Sequence, residues 1–286
     1  MDRRKVLAGM SASAVLAPFL TLHNALAAQG GQAAQGADAD TAHGDLSDLP
    51  DLKMMGTERV AMVMFPGFTA LDLVGPHYFF ACMMGARVDL LTTGGDLAPV
   101  ASDLGLAIAP DTELAKASEQ YDLLFVPGGT AGVIAAMKDE ALLGFLRDQS
   151  ANARYTTSVC TGSAVLGQAG LLRLRRATSH WAILDTLGAF GAIPTQERVV
   201  RDGPIITGAG VSAGLDLALE IVADLRGKDY ARALTLQAEY APQPPFADGS
   251  LKQANPQVAH AMSGMFQGFS DEVRALAQPA PSLGNT

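Results

Sequence analysis

Cysteine is scarce in this 286-residue chain, which carries only Cys82 and Cys160. Two cysteines cannot build a disulfide scaffold or a cysteine-rich zinc site. The five histidines, His23, His43, His77, His180 and His260, are scattered and show no metal-ligand spacing, so a metal centre is not indicated. Positive charge is also short, with 20 Lys and Arg against 29 Asp and Glu and a formal net charge of −9. No basic cluster occurs beyond the first five residues, which argues against charge-driven nucleic-acid binding. Neither Gly128-Gly129 nor Gly208-Ala209-Gly210 belongs to a G-x-G-x-x-G or P-loop pattern, so nucleotide binding has no motif to rest on. What is plentiful is apolar material: 49% hydrophobic residues against 17% charged, enough for a substantial core.

The N-terminus reads as an address. Arg3-Arg4-Lys5 precede an apolar run over residues 6–22 and then Ala25-Leu26-Ala27, the layout of a cleavable export signal. The adjacent arginines resemble the twin-arginine signal, which implies delivery of a folded protein to the periplasm and contact with membrane only during export. The alternative is an uncleaved anchor, disfavoured by Gly9, Ser11, Ser13 and Pro18 within the run. Residues 28–57 are rich in Ala, Gln, Gly and Asp and are expected to form a disordered acidic leader. The folded domain is expected over 58–250, with a helical and then flexible tail over 251–286.

Within the domain, short apolar runs alternate with helical patterns. Strands are expected at residues 60–65, 87–93, 122–126, 155–159 and 205–207, with short ones at 177–179 and 197–201. Helices are expected at 76–84, 132–150, 161–172, 181–190, 212–225 and 229–240, and residues 99–110 read as a hairpin excursion. This β-α alternation implies a mostly parallel sheet covered by helices on both faces. Ligands of such sheets bind at the carboxyl ends of the strands.

Tyr155-Thr156-Thr157-Ser158-Val159-Cys160-Thr161-Gly162-Ser163-Ala164 is the most informative stretch. A β-branched strand stops at a cysteine and small residues open a helix, the pattern of a nucleophile elbow. N–H groups at the helix start are expected to lower the thiol pKa. Cys82 lies in an apolar helical run and reads as a buried structural residue. Asp72 has two readings. Thr69 and Asp72 have capping-box spacing, but a helix from Thr69 would carry Pro76 in its interior. With Gly75 as cap and Pro76 at the first helical position, Asp72 falls in an irregular turn at the catalytic edge, available as acid or base. Gly128 and Gly129 are candidate oxyanion donors. His180 is either a substrate-binding residue or a structural residue that positions loops.

These stretches resemble the ThiJ/PfpI superfamily and, within it, the isonitrile hydratase (cyclohexyl-isocyanide hydratase-like) branch. The resemblance rests on Phe65-Pro66-Gly67, Leu71-Asp72-Leu73-Val74-Gly75-Pro76, Val126-Pro127-Gly128-Gly129, Thr157-Ser158-Val159-Cys160-Thr161-Gly162, Ala177-Thr178-Ser179-His180-Trp181 and Glu239-Tyr240-Ala241-Pro242-Gln243-Pro244-Pro245-Phe246. It implies a flavodoxin-like three-layer α/β/α sandwich, a homodimer, no cofactor and a small-molecule substrate. It further implies Cys160 as nucleophile, Asp72 as its acid/base partner and Thr161 beside them, for hydration of an isonitrile to an N-substituted formamide. Two alternatives stay open: hydrolysis of an amide, peptide or glyoxal-derived adduct by the same cysteine, or an exported ligand-binding or redox-sensing domain. Only about 40 residues follow the domain, too few for the helix-turn-helix module that some relatives carry, so a DNA-reading role is not expected.

Overall fold

The computed structural model of the chain describes residues 48–117 and 119–277. The expected signal, most of the expected leader and the last residues of the tail lie outside them. In chain order the elements begin with β1 (Arg59–Met64), α1 (Ala70–Ala81), β2 (Arg87–Thr92), β3 (Val100–Ala101), β4 (Ala107–Ile108), β5 (Thr112–Glu113) and β6 (Leu123–Val126). Then come α2 (Ala131–Ala136), α3 (Glu140–Ser150), β7 (Tyr155–Val159), α4 (Gly162–Gln168), β8 (Arg176–Ala177), β9 (Ile193–Pro194), β10 (Val199–Asp202) and β11 (Ile205–Gly208). Three helices close the chain: α5 (Ala213–Arg226), α6 (Lys228–Gln237) and α7 (Pro256–Leu276).

Seven strands form one sheet in the order β10-β11-β7-β6-β1-β2-β5, parallel except for β10. The central strands β1, β6 and β7 are buried along nearly their whole length, as expected of strands covered by helices on both faces. Helices α1, α5 and α6 pack together on one side, and α2, α3, α4 and α7 on the other. From β1 the chain builds outward to β2 and β5, then returns to lay β6 on the other side of β1. The carboxyl ends of β1 and β6 therefore flank a topological switch point, where doubly wound sheets open a crevice.

Four local expectations change. Helix α1 begins at Ala70, not Pro76, and keeps Pro76 inside it. The proline denies the Asp72 carbonyl its helical donor, at a cost of about 3 kcal/mol. Packing offsets that cost: Pro76 is buried against Gly214 of α5, and Gly75 against Leu215. Residues 132–150 divide into two helices because Asp139 caps α3, its carboxylate accepting from Ala141 N–H (3.0 Å) and Leu142 N–H (3.1 Å). Residues 181–190 give only a 3₁₀ helix over Asp185–Phe190. The last segment of the expected leader is held on the domain. Asp51 accepts from Lys228 N–H (3.0 Å), and buried Arg226 donates to the Met54 carbonyl (3.1 Å) and Glu58 (2.5 Å). The hairpin is present as β3–β4, and the tail carries α7.

Candidate active site

Three loops meet at the switch point, one after each of β1, β6 and β7. Cys160 follows β7 directly and takes φ 58°, one of three non-glycine residues in the left-handed region among those described. That strained backbone is the mark of a nucleophile elbow and turns the side chain out of the strand's alternation. The Cys160 N–H donates to the Gly208 carbonyl of β11 (3.0 Å), tying the turn to the next strand. Its carbonyl accepts from the Ser179 hydroxyl (3.0 Å), which in turn accepts from Ser163 (2.7 Å). The elbow fits because residue 162 has no side chain, since a Cβ there would meet the Val126 carbonyl oxygen at 2.5 Å.

Asp72 sits in the first turn of α1 and is fully buried. Its Oδ2 accepts from the Gly128 N–H at 2.8 Å, while the Gly128 carbonyl accepts from the Thr69 N–H at 2.8 Å. A single residue thus fixes both the helix start and the carboxyl. Position 128 must be glycine, because a Cβ would stand 2.7 Å from the Thr161 nitrogen and 2.8 Å from Asp72 Oδ2. The other oxygen, Oδ1, is buried with no regular hydrogen-bond partner. The carboxyl and the Cys160 thiol are within interacting reach of each other. Thr161 straddles Gly129, accepting from its N–H at 2.9 Å and donating to its carbonyl at 2.5 Å.

The Gly128 and Gly129 N–H groups, expected to form an oxyanion hole, are both occupied. One orients Asp72 and the other Thr161, so the β6 loop serves as scaffold for the acid and for the residue after the cysteine. His180 adjoins the elbow through its backbone, whose N–H donates to the Cys160 carbonyl at 3.3 Å. Its Nδ1 accepts from Ala182 N–H (3.3 Å), and its ring packs 5.0 Å from Trp181 and 5.5 Å from Phe266 of α7. Burial lowers its pKa, leaving a neutral, structurally engaged ring.

Electrostatics separates the thiol from its expected behaviour. Burial is the main force on Asp72 and pushes its pKa up to about 7 against the Gly128 hydrogen bond. Burial also pushes Cys160 well above its ordinary value, and the Asp72 charge adds to this. The N–H and hydroxyl of Thr161 pull the other way, as the helix-start reading anticipated, but do not prevail. The two groups titrate as a pair. Above about pH 7 the pair holds one proton, resting as thiol with carboxylate, and its transfer to Asp72 gives thiolate with carboxylic acid. The second arrangement places a nucleophile and a proton donor side by side.

Asp72, Cys160, Thr161, Gly128 and Gly129 thus come together, with His180 at the border. Sequence reading missed Ser163 and Ser179, whose hydroxyls support the Cys160 carbonyl, and Asp103, whose carboxylate accepts from Thr69 Oγ1 at 2.6 Å. The small hydroxyl residues around the elbow were a visible signal. Nothing in the sequence tied Asp103 to Thr69.

A flavodoxin-like sandwich with a cysteine elbow beside a buried carboxyl defines a class of α/β proteins. The chain belongs to the DJ-1/PfpI family, whose model matches residues 58–224. It is 45% identical over 225 residues to the isonitrile hydratase of Pseudomonas putida, spanning 79% of this chain and 92% of that protein. A ThiJ/PfpI family protein from Pseudomonas syringae superposes with a TM-score of 0.77 at 45% identity, covering 86% of this chain and 97% of that one. The HTH-type transcriptional regulator CdhR of Pseudomonas aeruginosa is 33% identical, over 59% of this chain and 51% of its own length.

Proposed function

We propose that this chain hydrates an isonitrile, R–N≡C, to the N-substituted formamide R–NH–CHO, with Cys160 as nucleophile and Asp72 as proton carrier. The observation that carries the reading is the buried Asp72–Cys160 pair, a carboxyl and a thiol within interacting reach that share one proton above about pH 7. The likeness to an isonitrile hydratase across most of both chains supports it.

The thiolate attacks the terminal carbon while Asp72 delivers its proton to that same carbon, giving the thioimidate R–N=CH–S–Cys160 and an Asp72 carboxylate. Water then adds to the carbon, its hydroxyl bonding there and its second proton going to nitrogen. Collapse of the adduct expels the Cys160 thiolate, and the hydroxyl proton returns to Asp72. The products are R–NH–CHO and the starting pair, with one water consumed. This chemistry needs a proton at carbon in its first step, where amide hydrolysis needs donors for an oxyanion. Occupied Gly128 and Gly129 N–H groups suit the first demand better than the second.

The test is direct. The protein without residues 1–27, incubated with a hydrophobic isonitrile such as a cycloalkyl one, should yield product that co-chromatographs with authentic formamide. Absence of formamide from a preparation that cleaves amides or peptides would overturn the reading.

The proposal includes a homodimer and delivery to the periplasm by the twin-arginine route. Leu71, Val74 and Tyr78 support the dimer, forming an exposed apolar stripe along α1 at helical spacing. Arg3-Arg4 and the apolar run after them support export, and Arg3→Lys with Arg4→Lys should leave the precursor in the cytoplasm, as fractionation and immunoblotting would show.

A further inference from the structure

The β3–β4 hairpin lies outside the three loops that form the site, yet it is fastened to one of them at three points. Gly67 N–H donates to the Ala101 carbonyl (2.8 Å), and Asp103 N–H donates to the Phe68 carbonyl (2.9 Å). Thr69 Oγ1 donates to Asp103 Oδ2 at 2.6 Å. Thr69 precedes α1 and its own N–H holds the Gly128 carbonyl, so Asp103 grips the residue that links Asp72 to the β6 loop. The turn carrying Asp103 is itself braced, with Leu106 N–H donating to Ser102 Oγ at 3.0 Å. The Thr69 hydroxyl, which would ordinarily cap α1, makes no cap bond there.

We infer that Asp103 is a positioning residue for the Asp72–Cys160 pair: it clamps the hairpin onto the first turn of α1 and holds a second carboxylate beside Asp72, which biases the pair's shared proton toward Asp72. The inference rests on the proposed reaction only for the use to which that proton is put. The charged or titratable groups acting on Asp72 are Cys160 from the elbow and Asp103 from the hairpin. The β6 loop presents only the Gly128 N–H, and α5 presents Gly214 and Leu215 to the following turn of α1. A neighbouring carboxylate makes ionisation of Asp72 less favourable and makes the acid-plus-thiolate arrangement a larger fraction of the singly protonated pair.

Asp103→Asn separates charge from geometry, since the amide oxygen can still accept from Thr69. Asp72 protonation is read without substrate, from the infrared band of its protonated carboxyl, assigned by the band's loss in Asp72→Asn. In Asp103→Asn the band's midpoint should fall by about half a pH unit, the scale of a single solvent-exposed charge. Because Asp103 is exposed, high salt should move the wild-type midpoint in the same direction and narrow the gap to the variant. In turnover the acid limb of kcat/KM should shift down by the same amount while its plateau falls about threefold. A midpoint identical in wild type and Asp103→Asn, with no salt response in the wild type, would overturn the inference. Should the variant not fold, the wild-type salt response alone decides. A shifted midpoint in a protein that forms no formamide would leave the role of Asp103 standing and sink the reaction instead.

Discussion

The two edges of the sheet each bury a pair of ionisable groups, and the pairs behave in opposite ways. At the amino edge, Arg226 of α5 is fully buried against Glu58, just before β1, with Nη2 to Oε2 at 2.5 Å. Arg226 also reaches the Met54 carbonyl (3.1 Å) and lies over the Tyr230 ring at 5.7 Å. Opposite charges meet there, and the result is a clamp between the segment before β1 and the α5–α6 junction. At the carboxyl edge, Asp72 and Cys160 are both acids, so burial and mutual repulsion leave them sharing a proton. A compensated pair fixes structure; an uncompensated one stores reactivity. The difference lies in the sign of the partner, not in the degree of burial.

That contrast is open to attack by mutation. Cys160→Ala should produce the largest effect, loss of formamide formation by at least about a thousandfold with little change in unfolding temperature, measured by product chromatography and calorimetry. Retained turnover would remove the carboxyl-edge pair from the chemistry. Glu58→Gln should do the reverse, destabilising the fold by about 3–5 kcal/mol because Arg226 is left buried without its counter-charge. Denaturant titration reads that loss, and kcat at a temperature where the variant is folded should stay near wild type. A stability change below about 1 kcal/mol would show that Arg226 is served by its other partners.

Asp72→Asn sharpens the comparison because it touches activity and stability with opposite signs. Turnover should fall roughly a hundredfold, the scale of a positioned acid or base. The folded state keeps the Asp72 proton up to about pH 7, against the ordinary 3.8, so between those values it binds more protons than the unfolded chain. Its stability from this group is therefore fully present below about pH 4 and lost as pH rises through 7, by up to about 4 kcal/mol. Asn does not titrate. Thermal unfolding should show the variant near wild type at pH 4 and more stable than wild type at pH 8. Equal pH dependence in both proteins would mean that Asp72 is ionised throughout, and the acid-plus-thiolate arrangement would lose its basis.

Much of this protein was legible in its sequence, because the relevant forces act between near neighbours in the chain. The β-branched run ending at Cys160 with Gly162 behind it specifies a strand, a strained turn and a close crossing wherever that segment is placed. Apolar runs alternating with helical patterns specify a parallel sheet, since only helix-covered strands can bury both faces. The motifs at Asp72, Gly128, Cys160 and His180 carried the family. Tertiary structure alone decided the rest. Pro76 stays inside α1 because α5 supplies packing against it, and a local rule about proline cannot anticipate a partner more than a hundred residues away. The Gly128 and Gly129 N–H groups looked free because the side chains that claim them, Asp72 and Thr161, belong to other loops. The thiol was expected to be acidic from its helix start, a local effect, whereas its proton is governed by burial and by a carboxyl 88 positions earlier. Local chemistry is written in consecutive residues; desolvation and charge coupling exist only once the chain has closed around them.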